Sequence, residues 1–222
     1  MKSEKGFKPY EGLKFSSEES AERAKAYHEF IEKRRSVRFF SERHVSKETL
    51  EHIIMSASSA PSGAHKQPWT FCAVSNRDLK SKIREAAEKE EFTNYNGRMS
   101  EEWLDDLKVF GTDWHKEFLD KAPWLIILFK KAYDLVDGEK TKNYYVNESV
   151  GIAAGFLISA IHNAGLVTLT HTPSPMNFLQ KILERPENER PFLLLPVGYP
   201  EENTEVPILD RKTSDQVIKY FE

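Results

Sequence analysis

Two stretches of the chain carry side chains whose types and spacing suit a phosphate-bearing ligand. The first, Arg34-Arg35-Ser36-Val37-Arg38, places three guanidinium groups and one hydroxyl within five residues. An arginine side chain is a permanently charged planar fork that binds phosphate oxygens in pairs, so this cluster predicts a phosphate site. The alternative is a solvated basic surface, but the interleaved apolar residues Val37, Phe39 and Phe40 indicate a segment fixed to a core.

The second stretch, Pro61-Ser62-Gly63-Ala64, follows a predicted helix and supplies a turn. The proline ends the helix because the residue before a proline avoids helical backbone. The glycine allows the backbone to approach a flat ligand closely. We therefore expect this turn at a ligand-binding surface.

Single polar residues further along the chain have two interpretations. Thr168, Thr170 and Thr172 alternate along a predicted strand, so their side chains should point to one side. They form either the polar wall of a site or only the solvated face of that strand. Arg211 is a further cation beside the apolar C-terminal tail, and by itself it indicates no more than a surface arginine.

Residues 90–118, called the lid segment below, are charged, rich in aromatic side chains and poorly periodic. This composition predicts short helices and loops that cover a site. Glu91, Tyr95 and Lys116 lie in the lid segment. Taken alone, Glu91 and Lys116 are better explained as residues of solvated helices.

The composition argues against several classes of protein. The 32 Lys and Arg residues against 35 Asp and Glu leave a net charge of −3, whereas a basic excess is typical of nucleic-acid-binding proteins. The single cysteine, Cys72, cannot form an intramolecular disulfide, and the histidine spacing predicts no metal site. The polar N-terminus has no signal-peptide pattern and no apolar run is long enough to cross a bilayer, so we expect a cytoplasmic protein without a membrane segment.

The elements that must position these residues follow an α+β pattern. Ser16 and Glu19 form a capping box at the start of the first helix, and Asn76 caps the third. Helices are predicted at 16–33, 46–59, from residue 76 to about 87, at 144–164 and at 175–184. Strands are predicted at 69–74, 123–129, 166–172 and 192–197, with a polar loop before residue 144. The pattern predicts a mostly antiparallel sheet of four or five strands surrounded by helices.

The helix at 144–164 is the most apolar in the chain, so we expect it to be wholly buried, in the core or in a dimer interface. The apolar C-terminal tail also favours a second subunit, and together they predict an intertwined homodimer. We expect residues 1–15 to form a flexible arm and residues 16–222 a single domain.

Two motifs resemble the signature of the nitroreductase superfamily of FMN flavoproteins. They are Arg34-Arg35-Ser36-Val37-Arg38-Phe39 and Ala60-Pro61-Ser62-Gly63-Ala64-His65-x-x-Pro68-Trp69. The resemblance implies a nitroreductase-like fold and FMN as cofactor. It implies that Pro61 and Ser62 pack along the isoalloxazine, and that Thr170 and Thr172 contact the flavin, with Thr172 at the reactive N5 atom. The residues implied for the phosphate and ribityl chain are Arg34, Arg35, Ser36, Arg38 and Arg211.

The lid segment narrows this resemblance to one branch. Glu91-x-x-x-Tyr95 and the later Lys116 are similar to the three residues with which the iodotyrosine deiodinase branch holds its amino acid substrate. The zwitterion would offer its ammonium to Glu91 and its carboxylate to Lys116 and Tyr95, and Ala64 is implied as a further substrate contact. We expect these three lid residues to have partners only when the zwitterion is present.

The activity implied is FMN-dependent reductive dehalogenation of mono- and diiodotyrosine, and of bromo- and chlorotyrosine, with Thr172 favouring single-electron steps. The electron donor would be NAD(P)H, such as NADPH, or a separate flavin reductase. Animal members carry a membrane anchor, and we expect a soluble form without one. Two alternatives remain open: a general NAD(P)H-dependent nitro- or quinone reductase, and a non-catalytic protein that binds flavin or halotyrosine.

Overall fold

The computed structural model describes residues 6–222, and the chain divides into two compact units at Arg34. The first unit contains helix α1 (Ser17–Glu32), which begins with the predicted capping box of Ser16 and Glu19. Residues 7–16 contain no helix or strand. Part of the predicted N-terminal arm, residues 1–5, lies outside the described residues.

The second unit, from Arg35 onward, is an α+β domain. Its helices are α2 (Lys47–Ser58), α3 (Arg77–Thr93), α4 (Glu101–Lys108), α5 (Phe118–Lys121), α6 (Val146–Asn163), α7 (Asn177–Ile182) and α8 (Ser214–Val217). Its strands are β1 (Trp69–Val74), β2 (Trp124–Lys131), β3 (Tyr133–Val136), β4 (Glu139–Lys142), β5 (Val167–Thr168) and β6 (Glu189–Gly198).

The central sheet has four strands in the order β1-β2-β6-β5, and every neighbouring pair is antiparallel. The first six residues of β2 are all buried because both faces of the sheet are covered. Leu125, Ile127 and Phe129 pack in the core that includes α3, α5 and α7. Ile126 packs in the opposite core, with α2 and α6. The predicted antiparallel sheet surrounded by helices is thus confirmed.

The polar loop expected before residue 144 is instead a β-hairpin. Strands β3 and β4 pair in register around Asp137-Gly138, and both turn residues have positive φ, 52° and 85°. An Asp-Gly pair is a strong signal for a two-residue hairpin turn, because it tolerates left-handed backbone at both positions. The polar composition concealed this hairpin because most of its residues are exposed.

Helix α6 is not wholly buried in the single chain. Val150, Leu157 and Ile161 are fully buried, and Leu157 and Ile161 pack in one core with residues of α2. On the opposite face, Ile152 and Phe156 remain 43% and 44% exposed. The helix therefore has a buried face and an exposed apolar face, so it is not a wholly buried core helix of one chain, and its burial in a dimer interface stays a prediction.

Candidate functional site

The floor of the candidate site, defined as Arg38 together with residues 168–172, is assembled by main-chain contacts. The Val37 N–H donates to the Thr168 carbonyl at 3.2 Å, and Ser36 forms a parallel bridge with Thr168. His171 exchanges two hydrogen bonds with Leu194 of β6, at 2.8 and 3.1 Å. These contacts bring the arginine-rich stretch beside the threonine stretch, although 130 residues separate them in the sequence.

The predicted strand 166–172 is regular only at Val167–Thr168. The expectation that the three threonines share one side is therefore wrong. Thr168 is buried, whereas Thr170 and Thr172 are exposed and line a cleft.

That cleft has a volume of about 820 Å³ and unites the floor with the lid segment. Six residues singled out from the sequence lie on it: Arg38, Glu91, Tyr95, Lys116, Thr170 and Thr172. Residues of the lining that the sequence interpretation did not assign are Asn94, Arg98, Met99, Trp103, Leu107, Thr112, Phe118, Leu169, His171, Ser174, Pro175 and Met176. The cleft therefore combines cations, one acid, hydroxyl groups and apolar walls.

Glu91 and Lys116 form a buried ion pair at the cleft. Lys116 Nζ lies 3.5 Å from Glu91 Oε2, and their side chains are only 4% and 10% exposed. The same ammonium lies 5.4 Å from the centre of the Tyr95 ring, within the range of a cation–π contact. The expectation that these side chains have partners only with a zwitterion is therefore wrong, since they contact each other without one.

Burial perturbs both charges of this pair. It raises the pKa of Glu91 and lowers the pKa of Lys116, and the attraction between the two groups opposes each change without cancelling it. Each group is thus less stable as an ion here than in water. A ligand that brought a cation to Glu91 and an anion to Lys116 would stabilise both charges.

The local fold explains how three residues from two segments meet. Glu91 lies in the last turn of α3, and Tyr95 follows one turn later in the π-helical turn Asn94–Arg98. The chain then passes through α4 and returns, so that the Lys116 ammonium donates to Thr112 Oγ1 at 3.4 Å and to the Asp113 carbonyl. Residues 90–118 are therefore short helices and loops beside the cleft, while their role as a lid stays a prediction.

His171 is the most unusual residue that the sequence left without a role. Its ring is buried in a T-shaped contact with Phe118, with ring centres 5.5 Å apart, and its Nε2 atom has no hydrogen-bond partner among the described residues. Burial, with the nearby charges of Lys116 and Arg38, lowers its pKa to about 3. Its imidazole is therefore neutral near neutral pH. A single histidine in a threonine-rich stretch gave no pattern that predicted this.

Arg98 and Asn94 are cleft residues that their spacing in the sequence could have identified as neighbours. Arg98 Nη1 lies 3.0 Å from Glu90 Oε2 and 3.3 Å from Asn94 Oδ1. The Asn94 amide in turn donates to the Ser174 carbonyl at 3.0 Å. Positions 90, 94 and 98 are four residues apart, the spacing of neighbours on one helix face. These contacts link the lid segment to the chain just beyond the floor.

The other residues implied for a phosphate are not part of the cleft lining. Arg35 donates to the Pro207 carbonyl, which places it against the segment that carries Arg211 four residues later. Ser36 and Arg211 are exposed. Arg34 ends the first unit, where its N–H donates to the Ile31 carbonyl at 3.0 Å.

The turn at Pro61–Ala64 does not line the cleft. Ser62 Oγ accepts a hydrogen bond from the Gln67 N–H at 2.9 Å, and the Gly63 N–H donates to Ser149 Oγ of α6 at 3.2 Å. A Cβ atom at Gly63 would lie 2.9 Å from the Tyr145 ring, so a glycine is needed for this close packing. Pro61 and Ala64 are exposed.

Within residues 6–222, no three His, Cys, Asp or Glu side chains are grouped so that they could hold a metal ion. None of the helices described above is long and apolar enough to cross a membrane.

Comparisons with known proteins identify the family of the chain. The model of the nitroreductase family matches residues 31–199. The chain is similar to the iodotyrosine deiodinase of Haliscomenobacter hydrossis, with 63% identity over the full length of both chains. It is also similar to mouse iodotyrosine deiodinase 1, with 46% identity over 95% of this chain and 74% of the mouse protein.

A solved structure shows the same fold. The crystal structure of oxidized iodotyrosine deiodinase bound to FMN and 3-iodo-L-tyrosine matches with a TM-score of 0.75 and 30% identity. The match covers 88% of this chain and 99% of that one. The chain therefore belongs to the nitroreductase family, in its iodotyrosine deiodinase branch.

Proposed function

We propose that this chain is an FMN-dependent enzyme that reductively deiodinates mono- and diiodotyrosine to tyrosine and iodide. The observation that carries the proposal is the cleft in which Glu91, Tyr95 and Lys116 face the floor residues Thr170 and Thr172. An amino acid zwitterion matches the first group, and a flavin edge matches the second. One cleft therefore suits substrate and cofactor together.

The donor set of the second unit fits FMN. Arg38, Thr170 and Thr172 supply a fixed cation and two hydroxyl groups to the cleft, and Arg35 lies against the segment that carries Arg211. Guanidinium groups suit the phosphate, and hydroxyl groups suit the polar edge of an isoalloxazine. Arg34 and Ser36 are proposed as further contacts, on the family resemblance alone.

The substrate would be held by its two charges, each of which pairs with one member of the buried ion pair. Its ammonium would approach the Glu91 carboxylate, and its carboxylate would approach the Lys116 ammonium, so that each buried charge gains a second counter-charge. Tyr95 lies beside Lys116 and would cover the substrate ring. A ligand with only one of the two charges would leave a buried group without compensation, which is costly in a low-dielectric site.

The chemistry divides between cofactor and protein. When bound, FMN supplies the two electrons of the reduction. The net reaction replaces the carbon–iodine bond with a carbon–hydrogen bond, consumes two electrons and one proton, and releases iodide. The Thr172 hydroxyl is proposed to donate a hydrogen bond at the flavin edge, while Trp103, Leu107 and Phe118 on the cleft wall exclude water from the substrate ring.

An anaerobic single turnover tests this function. The purified flavoprotein is reduced with dithionite and mixed with diiodotyrosine, and flavin reoxidation is followed together with released iodide. We expect one iodide and one monoiodotyrosine to form for each flavin that is reoxidised, because two electrons remove one iodine. A flavin that stays reduced with diiodotyrosine but is reoxidised by a nitroaromatic compound would overturn the proposal and support a general nitro- or quinone reductase. Bromo- and chlorotyrosine in the same assay would test the wider halogen range.

A homodimer is the assembly that best explains two separate observations. The apolar face of α6 that carries Ile152 and Phe156 is not covered by any other part of residues 6–222. The tail beyond residue 207 also exposes apolar side chains, among them Ile208 and Phe221 at 98% and 95%. An intertwined second copy would cover both surfaces. It would also allow Pro61, Ser62 and Ala64 of one chain to reach the cleft of the other.

Analytical ultracentrifugation of the Phe156→Arg variant tests the dimer. We expect the wild-type protein to sediment as a dimer that retains FMN, and the variant to shift to a monomer that loses it. A wild-type monomer that retains FMN would overturn the dimer.

The electron donor is proposed to be NAD(P)H or a separate flavin reductase, which stopped-flow reduction with NADPH would distinguish. A cytoplasmic location stays a prediction.

A further inference from the structure

We propose that Glu88 is a positioning residue that fixes Lys116 and so prepares the site for the substrate carboxylate. This inference rests on the proposed function, because it concerns how the amino acid part of the substrate is held. Glu88 does not line the cleft. It contacts the main chain of Lys116, and Lys116 itself lines the cleft.

The contact between Glu88 and Lys116 joins two distant segments. The Lys116 N–H donates to Glu88 Oε1 at 2.7 Å, across 28 positions of the sequence. A hydrogen bond from an amide to a carboxylate is shorter and stronger than one between neutral groups. The bond therefore fixes the place at which the lid segment returns to α3.

Glu88 is itself held by a second charged pair. The Arg84 Nε atom lies 2.8 Å from Glu88 Oε1, and Arg84 Nη1 lies 3.0 Å from Asp120 Oδ2. Asp120 is in α5, so the guanidinium connects that helix to α3. The side chains of Arg84 and Glu88 are only 26% and 18% exposed, which limits the screening of this pair by water.

One face of a helix supplies both the substrate contacts and their support. Arg84, Glu88, Glu91 and Tyr95 follow one another at intervals of four, three and four residues, the spacing of one helix face. Glu88 accepts a hydrogen bond from the Lys116 N–H, and Glu91 Oε2 lies 3.5 Å from the Lys116 ammonium. With both its main chain and its side chain held, Lys116 has little freedom to lose when a ligand binds. Such preorganisation increases affinity.

Calorimetric titration of the oxidised FMN-loaded protein tests this role. We expect Glu88→Ala to raise the Kd of 3-iodotyrosine roughly tenfold, the effect of losing a hydrogen bond to a charged group. The Kd of 2-iodophenol, which has no amino acid group, should change less than about twofold. Glu88→Gln should restore most of the affinity, because its amide oxygen still accepts from the Lys116 N–H. Glu85→Ala, an exposed residue of the same helix, is the matched control.

A more distant variant keeps the inference testable if Glu88→Ala does not fold. Arg84→Met retains the Glu88 carboxylate but removes its anchor, and we expect a rise of about threefold in the Kd of 3-iodotyrosine. The inference is overturned if neither variant changes that Kd, or if both ligands weaken equally. A wild-type protein that fails to bind or deiodinate iodotyrosine would overturn the proposed function instead.

Discussion

The floor and the lid segment meet at one cleft but are held in different ways. The floor is fixed by main-chain hydrogen bonds, from Val37 to Thr168 and between His171 and Leu194 of the central sheet. The lid segment is fixed at Lys116 mainly by charged side chains, those of Glu88 and Glu91.

This difference determines how each region should respond to substitution. Main-chain hydrogen bonds persist when a side chain changes, so the floor should keep its geometry in most variants. Charged side chains are buried at the lid segment, where removing one leaves its partner without compensation. We therefore expect single charge substitutions to weaken substrate binding while flavin binding remains.

The largest effect is expected for Lys116→Met. The change leaves Glu91 buried without its cation and removes the proposed partner of the substrate carboxylate. We expect the Kd of 3-iodotyrosine to rise about 100-fold or more, measured by calorimetry, with unchanged flavin absorbance. Lys108→Met is the control, since Lys108 is exposed and pairs with Asp105 of the same helix. Loss of FMN together with substrate affinity would contradict the distinction between floor and lid segment.

Thr172→Ala should affect rate rather than binding. The substitution removes one proposed hydrogen bond at the flavin edge and leaves the main chain of the floor in place. We expect kcat for deiodination to fall roughly tenfold, while the Kd of 3-iodotyrosine changes little. Thr172→Ser keeps the hydroxyl and should restore the rate. Equal activity of the Ala and Ser variants, measured by iodide release, would exclude a role for this hydroxyl.

The pH dependence of binding should report the buried pair. Because burial raises the pKa of Glu91, a proton should displace the substrate ammonium at a higher pH than at an ordinary carboxylate, and affinity should fall as the pH is lowered. Because the pKa of Lys116 is lowered, affinity should also fall earlier on the alkaline side. Titrations of Glu91→Gln should show weaker binding without the acid decline. If affinity still falls at low pH in this variant, the titrating group is not Glu91.

The last prediction concerns the floor and is one of stability rather than of binding or rate. The pKa of His171 is lowered to about 3, so the unfolded chain binds a proton below its ordinary value of 6.5 while the folded chain does not. Stability should therefore decrease as pH falls from 6.5, by up to about 1.4 kcal/mol per pH unit. Denaturant unfolding of His171→Asn between pH 4 and 7 should show a smaller slope. The exposed His52→Asn variant should keep the wild-type slope, and equal slopes in all three proteins would contradict the assignment.

Local patterns were sufficient for most of the elements. The capping box at Ser16, the cap at Asn76 and the apolar runs of β1 and β2 placed their elements to within a few residues. These signals act within one helical turn or one strand, so the sequence alone contains them. One error, the length of β5, lay where tertiary context decides. Another was the hairpin of β3 and β4, whose Asp137-Gly138 turn is a local signal that the polar composition concealed.

The site shows the same division. The sequence by itself determined which residue types were present, and the family motifs pointed to Arg38, Thr172 and the three lid residues. Only the tertiary structure decided that Glu91 and Lys116 pair with each other and that the Lys116 N–H donates to Glu88. It alone also decided that His171 is buried, with no partner for Nε2 among the described residues. The physical reason is that burial and partnership depend on chain segments far apart in sequence, and one chain position does not encode its own solvent exposure.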